Sequence, residues 1–162
     1  PTLAAIPGAA AGAGLSLALA CDLRIALDSA KMTTAFAKVG LSGDYGMSYF
    51  LHLLVGQSKA RELLFTAPLI TGAEALDLGL VNRIATSDDF EGAVHACASE
   101  LSQSATVAIG YMKKNLNSAA TSTLGELLDR EAVHMARCFT TQDHKLAVQA
   151  FVAKETPVFS GE

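Results

Sequence analysis

The sequence predicts a mixed α/β fold, on three observations. Two apolar runs of strand length, "TLAAI" and "LRIAL", flank a glycine-rich turn and a compact apolar segment. That order, strand, glycine loop, helix, strand, is the pattern of an α/β layer with parallel pairing. From Leu41 onward the apolar residues switch to helical spacing, and no linker-like segment or internal repeat interrupts the chain.

Taken in order, "TLAAI" is short, apolar and bounded by Pro7, which makes it a buried strand. "GAAAGAG" (Gly8 to Gly14) leads into "LSLALACD", a short apolar helix, and "LRIAL" returns after Asp22 as the second buried strand. Met47, Phe50, Leu51 and Leu54 then recur as one helix face, with Gly56 placed to stop that helix at its C′ position. "SKARELLF" has its apolar side chains on one face. "TGAE" (Thr71 to Glu74) is a capping box opening a short helix that Gly79 can end before "LVNRI". Phe90, Val94, Cys97 and Leu101 mark the next helix, and Ala105, Ile109, Met112 and Leu116 the one after. "TLGE" (Thr123 to Glu126) is a second capping box, and Leu124, Leu128, Ala132, Met135 and Phe139 form the expected inward stripe of its helix. A last helix covers Asp143 to Ala153, ending before Pro157.

Composition narrows the function. With 162 residues, 51% of them apolar, the chain can bury a sizeable core. A formal charge of −4 without clustered Lys and Arg argues against a nucleic-acid partner and leaves a neutral or anionic small molecule. Cys21, Cys97 and Cys138 are odd in number and sit far apart in apolar or helical runs, which suits thiols in a reducing compartment rather than a disulfide framework. His95 with Cys97 and His134 with Cys138 are pairs without a second pair at ligand spacing, so no metal is expected. The first 21 residues are uncharged, yet they lack a basic lead and are diluted by Pro7 and several glycines, so neither a signal peptide nor a membrane span is read there. The opening "PTLAAIPG", with no Met and no lead-in turn, reads as cut from something longer.

Two features carry chemistry. The glycine loop before a helix exposes backbone amides to an anion or a polarised oxygen. Gly12 and Gly14 lack the third glycine of a dinucleotide fingerprint and no Gly-Lys-Ser/Thr follows, so an oxyanion hole and a tight packing turn both remain open. The second feature is Asp44, a lone carboxylate within "AFAKVGLSGDYGMSYFLHLLVG". It reads locally as a helix cap ahead of Met47, or as a functional acid.

"PTLAAIPGAAAGAGLSLALACDLRIA", "AFAKVGLSGDYGMSYFLHLLVG", "ITGAEALDLGLVNRI" and the closing "AVQAFVAKETPVFSG", in this order and spacing, resemble the crotonase (enoyl-CoA hydratase/isomerase) superfamily. Within it the chain is most similar to isomerases of the phenylacetate pathway that act on epoxyphenylacetyl-CoA and enoyl-CoA. The resemblance implies a spiral of ββα units, residues 1–90 giving the C-terminal part of the α/β core and residues 91–162 a helical trimerisation region. It also implies that roughly the first third of a family member is missing, with one of two oxyanion-hole amides and much of the CoA pocket.

The remaining amide falls on Ala13, beside Gly12 and Gly14. The two glutamates with which family hydratases deliver water fall on Ser16 and Phe36, neither of which can replace a carboxylate pair. In the similar isomerases an acid stands where Asp44 does, and the nucleophile of 4-chlorobenzoyl-CoA dehalogenases occupies the same place. The resemblance thus implies an enoyl-CoA isomerase with Asp44 as proton shuttle and Ala13 as oxyanion donor. Its substrate is an acyl-CoA thioester, bound by Gly12, Gly14, Phe36, Gly43, Phe151 and Lys154, with no further cofactor. Hydratase-like, dehalogenase or hydrolase chemistry and a non-catalytic thioester binder are the alternatives. Phe36, Tyr45 and Met47 are expected to wall the acid and make it a stronger base by dehydration. A homotrimer or hexamer in the cytoplasm, without membrane attachment, completes the expectation.

Overall fold

The strand, turn, helix, strand opening is realised in the computed structural model, which describes residues 1–162. β1 (Leu3–Ile6), β2 (Ala10–Ala11), α1 (Ala13–Ala20) and β3 (Leu23–Leu27) follow one another, and β1 pairs parallel with β3 in the register Ala5↔Ile25. The chain divides into two compact units, residues 2–96 and, with Pro1, residues 97–162.

In the first unit, β4 (Lys31–Thr33) is followed by a 3-10 turn at Phe36–Val39, α2 (Met47–Thr66), β5 (Ile70–Thr71), α3 (Gly72–Asp77) and β6 (Arg83–Ala85). β3 lies between β1 and β6, both parallel to it, which is why "LRIAL" carries Ile25 and Ala26 fully buried. A second small sheet joins β2 to β4 in parallel and β4 to β5 antiparallel. Leu15, Leu19, Met32, Met47, Leu51, Leu63 and Leu80 fill the core.

Arg24, on the central strand, is 3% exposed. Its Nε donates to the Leu80 carbonyl at 2.7 Å and its Nη1 to the Cys21 carbonyl at 2.6 Å, just past the end of α1. Burial lowers the guanidinium pKa, and the nearby Cys21 and Asp22 oppose that shift. The buried cation thereby ties the C-terminal end of α1, where backbone carbonyls lack partners, to the chain entering β6.

The Thr71 capping box forms as read, Thr71 Oγ1 accepting from Glu74 N while the Glu74 carboxylate accepts from Thr71 N at 2.7 Å. Gly72 is required by close approach: a Cβ there would lie 1.9 Å from the Leu27 carbonyl oxygen, so only glycine lets α3 start against the end of β3. Gly56 is the break that its position suggested. With φ 75° and ψ 167° it ends the first helical stretch of α2 as read, and what the sequence did not show is that a second stretch follows at once across the kink.

α4 (Phe90–Ser102) buries Phe90 and Cys97, as its spacing predicts. The second unit contains α5 (Thr106–Ala119), α6 (Leu124–Phe139) and α7 (Gln142–Ala153). The Thr123 capping box forms as read. The expected inward stripe of α6 does not turn inward: Leu124 is 72% exposed, and Leu128, Ala132, Met135 and Phe139 are exposed as well, while on α5 Met112 and Leu116 are exposed and Ile109 half-buried. α6 turns Leu127, His134 and Cys138 to the half-buried side instead. His134 Nδ1 bonds to Asn115 Oδ1 of α5, and its ring lies 4.6 Å from that of Tyr111. A polar and aromatic seam thus joins the two helices and leaves the apolar stripe open. No helix is long and apolar enough to cross a membrane.

Candidate active site

The glycine loop places Gly12 at the N-cap of α1 with φ 51° and ψ −121°, a conformation that L side chains rarely adopt. Gly12 N donates to the Thr33 carbonyl of β4 at 3.1 Å, which anchors the loop to the small sheet. Gly12 O accepts from Ser16 N at 2.9 Å and from Ser16 Oγ at 3.1 Å. The N–H groups of the first turn, starting at Ala13, have no acceptor within the helix and lie at the positive end of its dipole.

Ala13 lines a recess of about 210 Å³ together with Phe36, Leu41, Ser42, Gly43, Asp44 and Tyr45. Phe36 is half-buried, and its ring lies 3.8 Å from where a Gly12 Cβ would stand and 3.9 Å from that of Gly43. Two glycines therefore leave room for one aromatic wall. Leu41 N donates to Phe36 O at 3.0 Å, closing the 3-10 turn so that residues 41–45 come round to the same side.

The turn bearing Asp44 is built from left-handed residues: Gly43 has φ 104°, Tyr45 51° and Gly46 77°. Asp44 Oδ1 accepts from Tyr45 N at 2.7 Å, which fixes the carboxylate on its own loop. The expected capping role is corrected here. Gly46 is the N-cap of α2 and receives no side-chain cap, while Asp44 contributes only its carbonyl to Met47 N. The expected dehydration is corrected as well. Phe36 and Tyr45 do line the recess, but Met47 is 1% exposed in the core, and Asp44 itself is exposed to water.

The structure thus brings Ala13, Phe36, Gly43 and Asp44 to one recess and puts Gly12 directly behind it. Gly14 lines a different, apolar recess of about 450 Å³ with Ala4, Ala5, Pro7, Leu17 and Cys21. Ser16 is fully buried and its hydroxyl is spent on Gly12 O, so it does not reach the recess. Phe151, 85% exposed, and Lys154 stand at the end of α7 in the second unit. Leu41 and Ser42 were not singled out in the sequence; the signal for them is the run of glycines at 40, 43 and 46, which bends this segment around the acid. No group of three His, Cys, Asp or Glu side chains gathers as a metal site, and the three cysteines are free thiols.

All of residues 1–162 match the protein family described as Enoyl-CoA hydratase/isomerase. The chain is 33% identical over 162 residues to the 1,2-epoxyphenylacetyl-CoA isomerase of Escherichia coli (strain K12), covering 100% of this chain and 62% of that protein. It is 36% identical over 149 residues to a short-chain-enoyl-CoA hydratase of Clostridioides difficile, covering 92% of this chain and 96% of that sequence. Among solved structures, an enoyl-CoA hydratase from Polaromonas sp. JS666 superposes with a TM-score of 0.93 at 36% identity, covering 99% of this chain and 62% of that one. The chain therefore spans 62% of the length of the first relatives it matches.

Proposed function

The chain belongs to the enoyl-CoA hydratase/isomerase family, with its crotonase-like fold, and on that premise we propose that it serves a CoA-thioester isomerase in which Asp44 moves the proton. The observation that carries this reading is the single recess shared by Ala13, at the amide-bearing end of α1, and Asp44. A thioester carbonyl placed against the Ala13 N–H is polarised, and the adjoining C–H becomes acidic. Asp44 takes that proton, the electron pair moves into an enolate held by the amide, and the same carboxyl returns the proton two carbons along. The double bond shifts and the enzyme ends as it began.

Relatives carry both hydratase and isomerase names, so the choice rests on this chain's own residues. Water addition across a double bond needs a base and an acid about one positioned water. Ser16 is sealed inside α1 and Phe36 has no proton to give, whereas a one-carboxyl shuttle needs only Asp44.

Phe151 and Lys154 are assigned to the CoA portion, the lysine meeting its phosphates. The exposed stripe of Leu124, Leu128, Met135 and Phe139 supports assembly into a homotrimer or a dimer of trimers, which closed symmetry would bury. Three unpaired thiols accord with a cytoplasmic enzyme.

The test is turnover of a 3-enoyl-CoA by the protein in its natural length, wild type against Asp44→Asn. The expected loss is about two to four orders of magnitude in kcat, the usual contribution of general acid–base catalysis. Unchanged turnover would remove Asp44 from the reaction. A monomer at micromolar concentration in sedimentation equilibrium would remove the trimer.

A further inference from the structure

The second unit holds a buried carboxylate that the proposed reaction does not use. Asp143, in the first turn of α7, is 2% exposed. Its Oδ1 accepts from Ser160 N at 2.7 Å and from Ser160 Oγ at 3.3 Å, and its Oδ2 accepts from Gly161 N at 3.1 Å. Asp143 N in turn donates to the Glu162 carbonyl at 3.1 Å. The tail after α7 is thus clasped to the start of that same helix.

Geometry makes the clasp a tension member. From residue 143 to residue 154 the helix rises about 16 Å, at 1.5 Å per residue. The six Cα steps from Lys154 back to Ser160 can span at most about 20–22 Å. The tail therefore runs back along the whole of α7 with little slack. It starts from a corner that breaks the usual rule, for Lys154 occupies the left-handed position, φ 58° and ψ 40°, where glycine is favoured. Glu155 N donates to Ala150 O at 2.9 Å and closes that corner. A lysine held in a disfavoured conformation needs its surroundings to hold it, and the clasped tail is what leads the chain out of the turn.

We infer that Asp143 is a positioning residue for Lys154: by fastening Ser160 and Gly161 it pre-forms the corner from which the lysine meets an acyl-CoA phosphate. The inference rests on the assignment of Lys154 to CoA made above. A corner ordered before binding spares the ligand the cost of ordering it, so releasing the clasp should weaken CoA binding about three- to tenfold and leave kcat at saturation unchanged.

The experiment measures free CoA binding by calorimetry, kcat and KM, and amide hydrogen exchange on the natural-length protein. Its variants are Asp143→Asn, Ser160→Pro, Ser160→Ala, Lys154→Gln and the Lys154→Gln/Ser160→Pro double variant. Ser160→Pro removes the 2.7 Å donor from the exposed tail without touching the buried helix start, so it keeps the test open if Asp143→Asn does not fold. Ser160→Ala keeps that donor and loses only the longer 3.3 Å hydroxyl bond, so it should stay much closer to wild type than Ser160→Pro. Expected are faster exchange at Glu155 and Gly161, weaker CoA binding and a raised KM with unchanged kcat for Asp143→Asn and Ser160→Pro, and no further loss when Ser160→Pro is added to Lys154→Gln. If Lys154→Gln weakens binding but Ser160→Pro frees the tail and leaves the affinity intact, the positioning role is refuted while the lysine assignment stands. If Lys154→Gln itself changes nothing, the assignment fails and takes the inference with it.

Discussion

Gly12 and Gly14 are two residues apart in one loop, yet alanine should act on them with opposite sign. At Gly12 the φ of 51° would suit an L-residue only with ψ near the left-handed helical value, and the observed ψ is −121°. Holding alanine there costs about 1–3 kcal/mol of backbone strain. Crowding adds nothing, because the nearest atoms to a new Cβ, in Phe36 and Thr34, lie at an ordinary 3.8 Å. For a domain of this size, about 2 kcal/mol lowers Tm by roughly 4–8 °C. At Gly14 no φ outside the ordinary range is required and no atom lies within 4 Å of a new Cβ. Alanine there should stabilise by about 0.5–1 kcal/mol, through a less flexible unfolded chain and better helix propensity.

Thermal unfolding of the parent and the two variants, monitored by circular dichroism, decides the matter. A Gly12→Ala variant as stable as the parent, or two shifts of the same sign, would refute the conformational reasoning. The prediction reaches the site as well. Strain at Gly12 is relieved by changing its ψ, and that rotation turns the peptide carrying the Ala13 N–H. Gly12→Ala should therefore lose turnover in the proposed isomerase reaction, measured at a temperature where both proteins are folded.

Gly72→Ala should cost about 3 kcal/mol or more in urea unfolding, because the new Cβ meets backbone atoms of Leu27 and Asp28 that cannot swing aside; a loss below about 1 kcal/mol would show that α3 shifts freely. Glu74 and Glu126 are held below the ordinary carboxylate pKa of 4.5, first by the backbone N–H of Thr71 and Thr123 and then by their hydroxyls. Depressed folded pKa values mean that this stabilisation is present above the unfolded pKa and is lost as pH falls through the folded one. The parent should thus lose more stability than a Glu74→Gln/Glu126→Gln variant between neutral pH and pH below about 4, and parallel pH curves would count against the boxes. Ser16→Ala removes one hydroxyl bond to Gly12 O and should cost about 1 kcal/mol, with turnover kept; a tenfold fall in kcat would return Ser16 to the chemistry.

What the sequence revealed of the fold was what is decided locally. The two capping boxes are four-residue devices whose partners are neighbours, and both form as read. "LRIAL" is recognisable because a central parallel strand must be apolar on both faces. The small sheet was not legible: β2 and β5 are two residues long, and their partners on β4 lie far away in sequence. Arg24 escaped notice for a related reason. The carbonyls that receive its guanidinium come from the end of α1 and from Leu80, which only the fold brings together. The α6 stripe shows the converse limit. Apolar periodicity says that a face seeks cover, and it cannot say whether the cover comes from the helix's own neighbour.

Of the expected site residues, Ala13, Phe36, Gly43 and Asp44 share one recess, and its geometry was hidden from the sequence. Local spacing made Asp44 a helix cap, but the left-handed turn through Gly43, Tyr45 and Gly46 delays α2 until Met47 and leaves the acid on the recess instead. Turns of this kind carry a cost when the residue is not glycine, and the chain has four such positions: Ala35, Tyr45, Ala67 and Lys154. Ala67 and Lys154 end α2 and α7, a common place for a left-handed residue. Ala35, Tyr45 and Lys154 stand beside the groups assigned to function. Ala35 precedes Phe36, Tyr45 donates its N–H to Asp44, and Lys154 is the cationic corner itself. Disfavoured backbone persists where the surroundings over-determine it, and at Tyr45 the surroundings include the carboxylate that the strain helps to aim. Replacing Tyr45 with glycine would ease the backbone and keep the N–H that Asp44 accepts, but it widens the conformations open to the turn, so local strain and the placement of the proposed proton shuttle pull in opposite directions at that one residue.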